Sequence, residues 1–206
     1  MIEGVRGTRV LEGLEAKKYF TVTDTFHTIC DEYGYNLIVL PTIEKVELFT
    51  RTVGQFSDIV TKQMYSFNDK KDRELVLRPE GTAGVIRNYI EKKYKVQKKY
   101  FYSEQMFRYE RPQKGRYREF HQVGAEIIGS NRGDIHPISE IVLLGINFIK
   151  KLVVEDTEIN LKINSIGTNS DRKIYSKDLI QYFEKYKNDL SDDSKIRLKN
   201  NPLRIL

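Results

Sequence analysis

QMFRYERPQKGRYREFHQVGAEIIG, residues 105–129, is the stretch that decides the fold. Tyr and Phe are frequent within it and just before it, and these residues suit the pleated, half-buried surface of a sheet. Pro112 and Gly115 punctuate the stretch, as turn residues do. It therefore predicts a hairpin, with one strand over 99–111, a short charged loop, and a second strand over 118–129.

One face of the predicted hairpin carries polar groups. Side chains on a strand alternate between its two faces. Arg108 and Glu110 share a face of the first strand, and folding the hairpin about Lys114 predicts that Arg108 comes near residue 121. The second strand presents on one face Phe120, Gln122, Gly124 and Glu126, and on the other, core-like face Val123, Ala125 and Ile127.

The polar face is costly to bury without a ligand, because its groups need hydrogen-bond partners. A guanidinium such as that of Arg108 can grip a phosphate or a carboxylate with two parallel hydrogen bonds. Glu126 and Gln122 can hold an ammonium and a polar ring, and Phe120 can stack on a base. Further positive charge for phosphate comes from the loop residues Lys114, Arg116 and Arg118. The pattern also fits a solvated hairpin with cross-strand ion pairs.

Three runs of the sequence resemble the histidyl-tRNA synthetases, a family of class II aminoacyl-tRNA synthetases. FRYERPQKGRYREFHQVGAE resembles their motif 2, RPEGTA over 78–83 resembles a histidine-site segment, and GYNLIVLP, which ends at Pro41, resembles motif 1. The resemblance covers nearly the whole chain, in the family's order. It implies one partial catalytic domain over 1–206, with motif 1 at about 15–41, the RPEGT segment at 78–82, motif 2 at about 100–129 and the start of a helical region at about 170–206.

The fold class that follows is α+β. Strands mostly joined by hairpins, with helices between the groups, predict an antiparallel sheet flanked by helices. The resemblance sharpens this to the class II synthetase catalytic fold, incomplete at the C-terminus. It also implies a homodimer.

The chemistry that the resemblance implies is that of a histidine–tRNA ligase: ATP-dependent activation of L-histidine to histidyl-adenylate, then transfer to tRNA(His). Arg108 is the implied catalytic residue, bridging the histidine carboxylate and the α-phosphate. The implied histidine-binding residues are Glu80, Gly81, Thr82, Arg108, Gln122 and Glu126. The implied ATP-binding residues are Arg108, Glu110, Arg116 and Phe120, and Gln113 would reach the tRNA acceptor end. Mg²⁺ is expected with ATP, and no tightly bound metal or organic cofactor.

Glu80 has a second interpretation, as a helix cap, because a carboxylate at a helix entry offsets the helix dipole. The family's second histidine segment, motif 3 and anticodon-binding domain do not occur in these residues, so the isolated chain is expected to be catalytically incomplete. The alternative function is a synthetase-like regulatory subunit of ATP phosphoribosyltransferase, although such proteins typically depart from the RPEGT and ERPQKGRYREFHQ patterns. A basic RNA-binding module would instead interleave basic and aromatic residues along an exposed surface.

Composition narrows the classes of protein to which the chain can belong. The 206 residues are 39% hydrophobic and 31% charged with a net charge of +6, as expected of a soluble globular protein. No apolar run is long enough to span a membrane. Cys30 is the one cysteine, which excludes a disulfide framework and favours a reducing, cytoplasmic location. No Rossmann or Walker phosphate loop occurs and no metal-ligand spacing. His121 is expected to pack rather than to catalyse.

Periodicity predicts the other elements. The predicted helices cover 15–33, the residues after Thr82, the stretch from Asp134 and Pro137 to about Leu152, a segment opened by Ser170 and Asp171, and a short segment capped by Ser191. The predicted strands are a buried one over 37–40, a hairpin over 63–67 and 74–77, and one that contains Ile159, Leu161 and Ile163. Residues 43–62 predict a short helix and a loop.

Overall fold

The structure, a computed structural model, describes residues 2–52, 59–131, 133–153, 157–165 and 167–205. Contacts divide the chain into two units, Met1–Thr157 and Glu158–Leu206. The first unit contains, in order, α1 (Gly13–Glu32), β1 (Asn36–Leu37), β2 (Ile43–Lys45), α2 (Val46–Thr52), a π-helical turn (Ile59–Gln63), β3 (Tyr65–Asn68), β4 (Glu74–Leu77), α3 (Thr82–Glu91), β5 (Lys98–Phe107), β6 (Glu119–Ile128) and α4 (His136–Leu152). The second contains α5 (Asn169–Glu184), α6 (Asp192–Asn200), and 3-10 turns at Lys187–Asp189 and Pro202–Arg204.

The predicted central hairpin is confirmed. Strands β5 and β6 pair antiparallel along their whole length, from Lys98 opposite Ile128 to Phe107 opposite Glu119. Strand β1 lies parallel on the other side of β5, so the sheet order is β1-β5-β6. The predicted α+β architecture is thus built around these two long strands.

The predicted register at the end of the hairpin is wrong. The Arg108 backbone N–H donates to the Arg118 carbonyl over 2.8 Å, so Arg108 lies opposite residue 118 and not 121. The Tyr109 N–H donates to the Gln63 carbonyl over 2.7 Å and does not continue the β5–β6 ladder. The part of the loop before its tip is therefore longer than the part after it. Pro112 further along has no N–H to donate. Strand β5 therefore ends at Phe107 and does not reach residue 111.

The apolar face of the hairpin packs on two helices. Phe26, Ile29 and Cys30 of α1 are buried together with Phe101 of β5 and Leu144 of α4. The apolar side chains of β6 that pack against this cluster are Val123, Ala125 and Ile127, as alternation predicts. Burial raises the pKa of the Cys30 thiol to about 12, so this thiol is protonated and unreactive at neutral pH.

Two predicted strands differ from the structure. Strand β1 has only two residues, and its Leu37 is 52% exposed. Beyond the strand Val39 is 76% exposed, while Leu40 is buried. The segment therefore runs along a sheet edge, with alternate side chains outside, and is not buried on both sides. The described residues 157–165, which include Leu161 and Ile163, form no strand. No other strand in the described part of the chain pairs with this segment. An alternating pattern alone does not supply the hydrogen-bond partners that a strand needs.

A second sheet, of order β2-β4-β3, supports the first. The predicted hairpin of β3 and β4 is confirmed, with Asn68 opposite Glu74, whereas β2 replaces part of the region predicted as helix and loop. The Phe107 N–H donates to the Arg78 carbonyl over 3.0 Å, which ties the end of β5 to the end of β4. Part of the predicted 43–62 segment, residues 53–58, lies outside the described residues.

The second unit is helical. Thr168 and Asp171 form a capping box at the start of α5, and the Ser191 side chain accepts from the Ser194 N–H at the start of α6. Both predicted helices are confirmed, and α5 begins one residue earlier than Ser170. Among the described residues of the chain, no helix is long and apolar enough to cross a membrane.

Candidate active site

The polar face of the central hairpin is built on the side chain of Tyr102, which is 1% exposed. The polar residues around this ring form the candidate site. Its ring lies between Gly81, at the entry of α3, and Gly124, which faces it across the β5–β6 ladder. A Cβ atom at either glycine would lie 2.3 Å from Cζ of Tyr102. Both glycines are therefore needed for space, and the gap that Gly124 leaves is filled by the Tyr102 ring.

Three polar side chains surround the end of this ring. The Gln122 amide Nε2 donates to the Tyr102 hydroxyl over 3.1 Å. The Thr82 hydroxyl donates to the Glu126 carboxylate over 2.6 Å. The alternation on β6 therefore does bring Gln122 and Glu126 to one face, and the entry of α3 adds Thr82 to it.

Glu126 lies where an ionised carboxylate is penalised. Burial raises its pKa, and the nearby charge of Glu80 raises it further, although the Thr82 hydrogen bond acts in the opposite direction. Burial likewise raises the pKa of the Tyr102 hydroxyl, with the Glu126 charge as the second cause. A cation placed between the two carboxylates would relieve this cost. The local electrostatics favour an ammonium or a protonated ring as ligand.

Glu80 does cap its helix. Its Oε1 accepts from the Ala83 N–H over 3.0 Å, which satisfies one of the free donors at the start of α3. One carboxylate oxygen is used in this way, and a carboxylate has two. The capping interpretation and a contact to a ligand are therefore compatible.

Arg108 stands at the edge of the same face. Its Nε donates to the Pro79 carbonyl over 2.8 Å, and its guanidinium carbon lies 5.1 Å from the centre of the Phe120 ring. Within the described parts of the chain, its terminal nitrogens have no hydrogen-bond partner. A guanidinium held by Nε alone presents its two terminal NH2 groups in the fork that suits a phosphate or carboxylate.

The hairpin loop carries the remaining predicted residues. Glu110 is half-buried and its carboxylate lies 3.5 Å from Nε of Arg116, whose side chain is largely exposed. Gln113 is exposed at the tip, where its backbone pairs with that of Arg116. Gly115 has φ of +78°, a conformation that glycine adopts without strain, and it closes this turn.

Arg118 has a bracing role that the sequence does not predict. Its Nε donates to the Glu110 carbonyl (3.2 Å), and its guanidinium carbon lies 4.0 Å from the centre of the Tyr109 ring. Its backbone N–H donates to Gly7, which ties the N-terminal segment to the hairpin. The guanidinium of Arg118 is therefore engaged within the protein, whereas the sequence predicted that it supplies positive charge for phosphate.

Arg78 and Glu104 form a buried pair that sequence reasoning missed. Arg78 is 4% exposed and its Nη2 donates to the Glu104 carboxylate over 2.7 Å. The other Glu104 oxygen accepts from the Leu40 N–H (3.2 Å), and the Arg78 guanidinium also donates to the Leu40 and Gln105 carbonyls. The sequence does contain a signal for this pair. Glu104 lies two residues after Tyr102 on an aromatic strand, and therefore on the same face.

His121 packs beside the Tyr19 ring, with their centres 4.4 Å apart, in line with the packing role predicted for it. Burial lowers the pKa of its imidazole. Among the residues that the structure describes, no three His, Cys, Asp or Glu side chains converge in a way that could hold a metal ion.

Comparison with known proteins gives one family. The family model described as histidyl-tRNA synthetase matches residues 7–168. The histidine–tRNA ligase of Buchnera aphidicola subsp. Schizaphis graminum is 47% identical over 207 residues, which cover 100% of this chain and 48% of that protein. The histidine–tRNA ligase of Aquifex aeolicus is 42% identical over 208 residues, with coverage of 100% and 51%. The chain thus spans about half the length of the curated relatives that it matches.

Solved structures indicate the same family. The crystal structure of apo Staphylococcus aureus histidyl-tRNA synthetase matches with a TM-score of 0.72 and 32% identity, over 100% of this chain and 48% of that one. A Bacillus halodurans structure described as an ATP phosphoribosyltransferase regulatory subunit/histidyl-tRNA synthetase matches with a TM-score of 0.66 and 25% identity, over 97% and 55%. The likeness to the synthetase is thus the greater in both sequence and structure.

Proposed function

The chain belongs to the histidyl-tRNA synthetase family, and we propose that it carries the histidine-activating site of a histidine–tRNA ligase. The observation that supports this most is the grouping of Thr82, Gln122 and Glu126 around the buried Tyr102 ring, with Arg108 at its edge. The grouping offers carboxylates to a cation and a guanidinium to an anion. An amino acid with a basic ring has both kinds of group.

Histidine would be held by its ammonium and its ring. Glu80, Thr82, Gln122 and Glu126 supply oxygen atoms for these N–H groups, and Gly81 lets the chain pass close to Tyr102. The raised pKa of Glu126 supports this assignment, because a ligand cation would offset the cost of burying the charge. The carboxylate of histidine would then point towards Arg108.

ATP, with Mg²⁺ as part of this substrate, would lie next to the histidine carboxylate. Phe120 would stack on the adenine, Glu110 would help to hold the nucleotide, and Arg116 would meet the distal phosphates. A histidine oxygen attacks the α-phosphorus, the bond to the β-phosphate oxygen breaks, and pyrophosphate leaves. Arg108 would bridge the two substrates and stabilise the charge that develops on phosphorus, since a preorganised donor costs no reorganisation during the reaction.

The later step would transfer histidine to tRNA(His), with the loop around Gln113 meeting the acceptor end. The exposure of Gln113 at the loop tip supports this contact. We propose a homodimer through the motif 1 segment, supported by the exposed apolar side chains of Leu37 and Val39. The buried single thiol of Cys30 is in keeping with a cytoplasmic location.

We also propose that residues 1–206 form part of one catalytic domain and are incomplete as a catalyst when isolated. The segments proposed for it are motif 1 at about 15–41, RPEGT at 78–82, motif 2 at about 100–129 and a helical region at about 170–206. The share of the curated relatives that the chain spans, about half, supports this.

The test is amino-acid-dependent exchange of pyrophosphate into ATP, with the protein expressed from its complete gene. Each of the common amino acids is supplied in turn. We expect exchange with histidine and at least 100-fold less with any other amino acid. Exchange with none of them, together with activation of an added ATP phosphoribosyltransferase, would contradict the proposal and favour the regulatory-subunit function.

A further inference from the structure

The Tyr102 hydroxyl holds one side of the Gln122 amide. It accepts from Gln122 Nε2 over 3.1 Å. On the same face of the hairpin, the Thr82 hydroxyl donates to Glu126 Oε1 over 2.6 Å. Side chains from β5, β6 and α3 therefore form two hydrogen-bonded pairs there.

Both pairs have a clear direction. An ionised carboxylate only accepts, so the Thr82 hydroxyl gives its proton to Glu126. In the other pair the amide nitrogen of Gln122 donates and the Tyr102 oxygen accepts. Both donors are thus directed at acceptors within the site, and Oε1 of Gln122 and the second oxygen of Glu126 have no hydrogen-bond partner among the described residues.

We propose that Tyr102 is a positioning residue that sets which atoms of the site meet the bound amino acid. By engaging Nε2 of Gln122, it leaves Oε1 of that amide as the atom for the ligand, beside the free oxygen of Glu126. The site then offers acceptors only, and selects a ligand that presents N–H donors there. The inference rests on the proposed function and adds a specificity determinant to it.

The packing makes the hydroxyl testable on its own. The Tyr102 ring is clamped between Gly81 and Gly124, with no room to shift towards either backbone. Phenylalanine fills the same space without the hydroxyl, so Tyr102→Phe removes the hydrogen bond to Gln122 and keeps the ring. Tyr35→Phe is the matched control, because Tyr35 is 3% exposed and belongs to the cluster on the opposite face of the sheet.

The experiment is a double-mutant cycle of Tyr102→Phe and Gln122→Ala in the protein expressed from its complete gene, with histidine and ATP affinities measured by calorimetry. We expect Tyr102→Phe to weaken histidine binding about tenfold, the size of one hydrogen bond. We expect ATP binding and the Tyr35→Phe control to stay within twofold of wild type. In the Gln122→Ala background, removing the hydroxyl should change histidine affinity less than twofold, because the amide that it positions is absent.

A full tenfold loss of histidine affinity in both backgrounds would overturn the proposal, since the effects of two independent, purely structural substitutions are additive. Histidine affinity unaffected by Tyr102→Phe would overturn it as well. If wild type and Tyr35→Phe both fail to bind histidine, the proposed function is what fails. The Tyr102–Gln122 hydrogen bond is then judged by the same cycle in urea midpoints, where non-additive shifts support it and additive shifts overturn it.

Discussion

Gly124 matters for the side chain that it lacks. A Cβ there would overlap the Tyr102 ring, which is held on its other side by Gly81. We predict that Gly124→Ala lowers the free energy of unfolding by about 1–3 kcal/mol, the usual cost of overpacking, and weakens histidine binding. Urea unfolding and calorimetry measure both.

The control for this substitution is Gly145→Ala in α4, where a Cβ would meet nothing within 4 Å. In a helix interior alanine is favoured over glycine by about 1 kcal/mol, so this variant should be as stable as wild type or more so. Equal stability of the Gly124 and Gly145 variants would show that the clamp on Tyr102 is looser than the structure indicates.

Glu126 links the stability of the protein to pH. Burial raises its pKa, so its folded-state value lies above its unfolded value, and the ionised side chain lowers stability at neutral pH. That cost disappears as the pH falls from the raised value through the ordinary 4.5. We predict that Glu126→Gln stabilises the ligand-free protein at pH 7, an advantage that shrinks towards pH 4.5. Urea unfolding at a series of pH values measures this.

The same substitution should weaken histidine binding by roughly 1.5–3 kcal/mol, about 10- to 150-fold, and leave ATP binding unchanged. Glu119→Gln is the control, because residue 119 lies on the same strand and on the opposite face. A histidine affinity that is equal for wild type and Glu126→Gln would refute the role of Glu126.

The elements of the site are joined by the buried pair of Arg78 and Glu104. Arg78 follows β4, Glu104 lies in β5, and both bond to the backbone of Leu40 beyond β1. Removing one partner of a buried ion pair leaves an uncompensated charge. We predict that Arg78→Ala lowers the free energy of unfolding by about 3–5 kcal/mol, measured with urea.

Two comparisons sharpen this prediction. Arg73→Ala removes an arginine that pairs with Asp69 on an exposed turn, and should cost no more than about 1 kcal/mol. Arg78→Met combined with Glu104→Leu should recover much of the loss, because apolar residues of similar volume replace both charges. A double variant as unstable as Arg78→Ala would mean that the pair itself, and not the stranded charge, supplies the stability.

At this scale the sequence predicted the elements better than their pairing. The helical stripe of α1 and the alternation of β6 are local signals, and both are confirmed. The hairpin register failed because Tyr109 bonds to Gln63, a partner that local pattern does not reveal. The alternation at Ile159, Leu161 and Ile163 failed because a strand also needs a neighbour. The polar face was predictable, whereas the Tyr102 ring that fills it depends on the cross-strand pairing with Gly124.

For the whole molecule, the first unit contains every residue proposed for histidine and ATP. Two sheets and α3 converge at the ends of β4 and β5, which is where Arg108 bonds to Pro79. The face opposite is closed by α1 and α4. One side of the central hairpin thus packs on helices, and the other gathers the polar residues that we propose bind histidine and ATP.

The central claim is that this hairpin activates histidine through Arg108. The most direct test is histidine-dependent pyrophosphate exchange into ATP by the protein expressed from its complete gene, compared for wild type, Arg108→Ala and Arg73→Ala. Removing one preorganised charge stabiliser typically costs about 100- to 1,000-fold in rate. We predict a loss of that size for Arg108→Ala and a rate within twofold of wild type for Arg73→Ala. An Arg108→Ala rate within a few-fold of wild type would contradict the account.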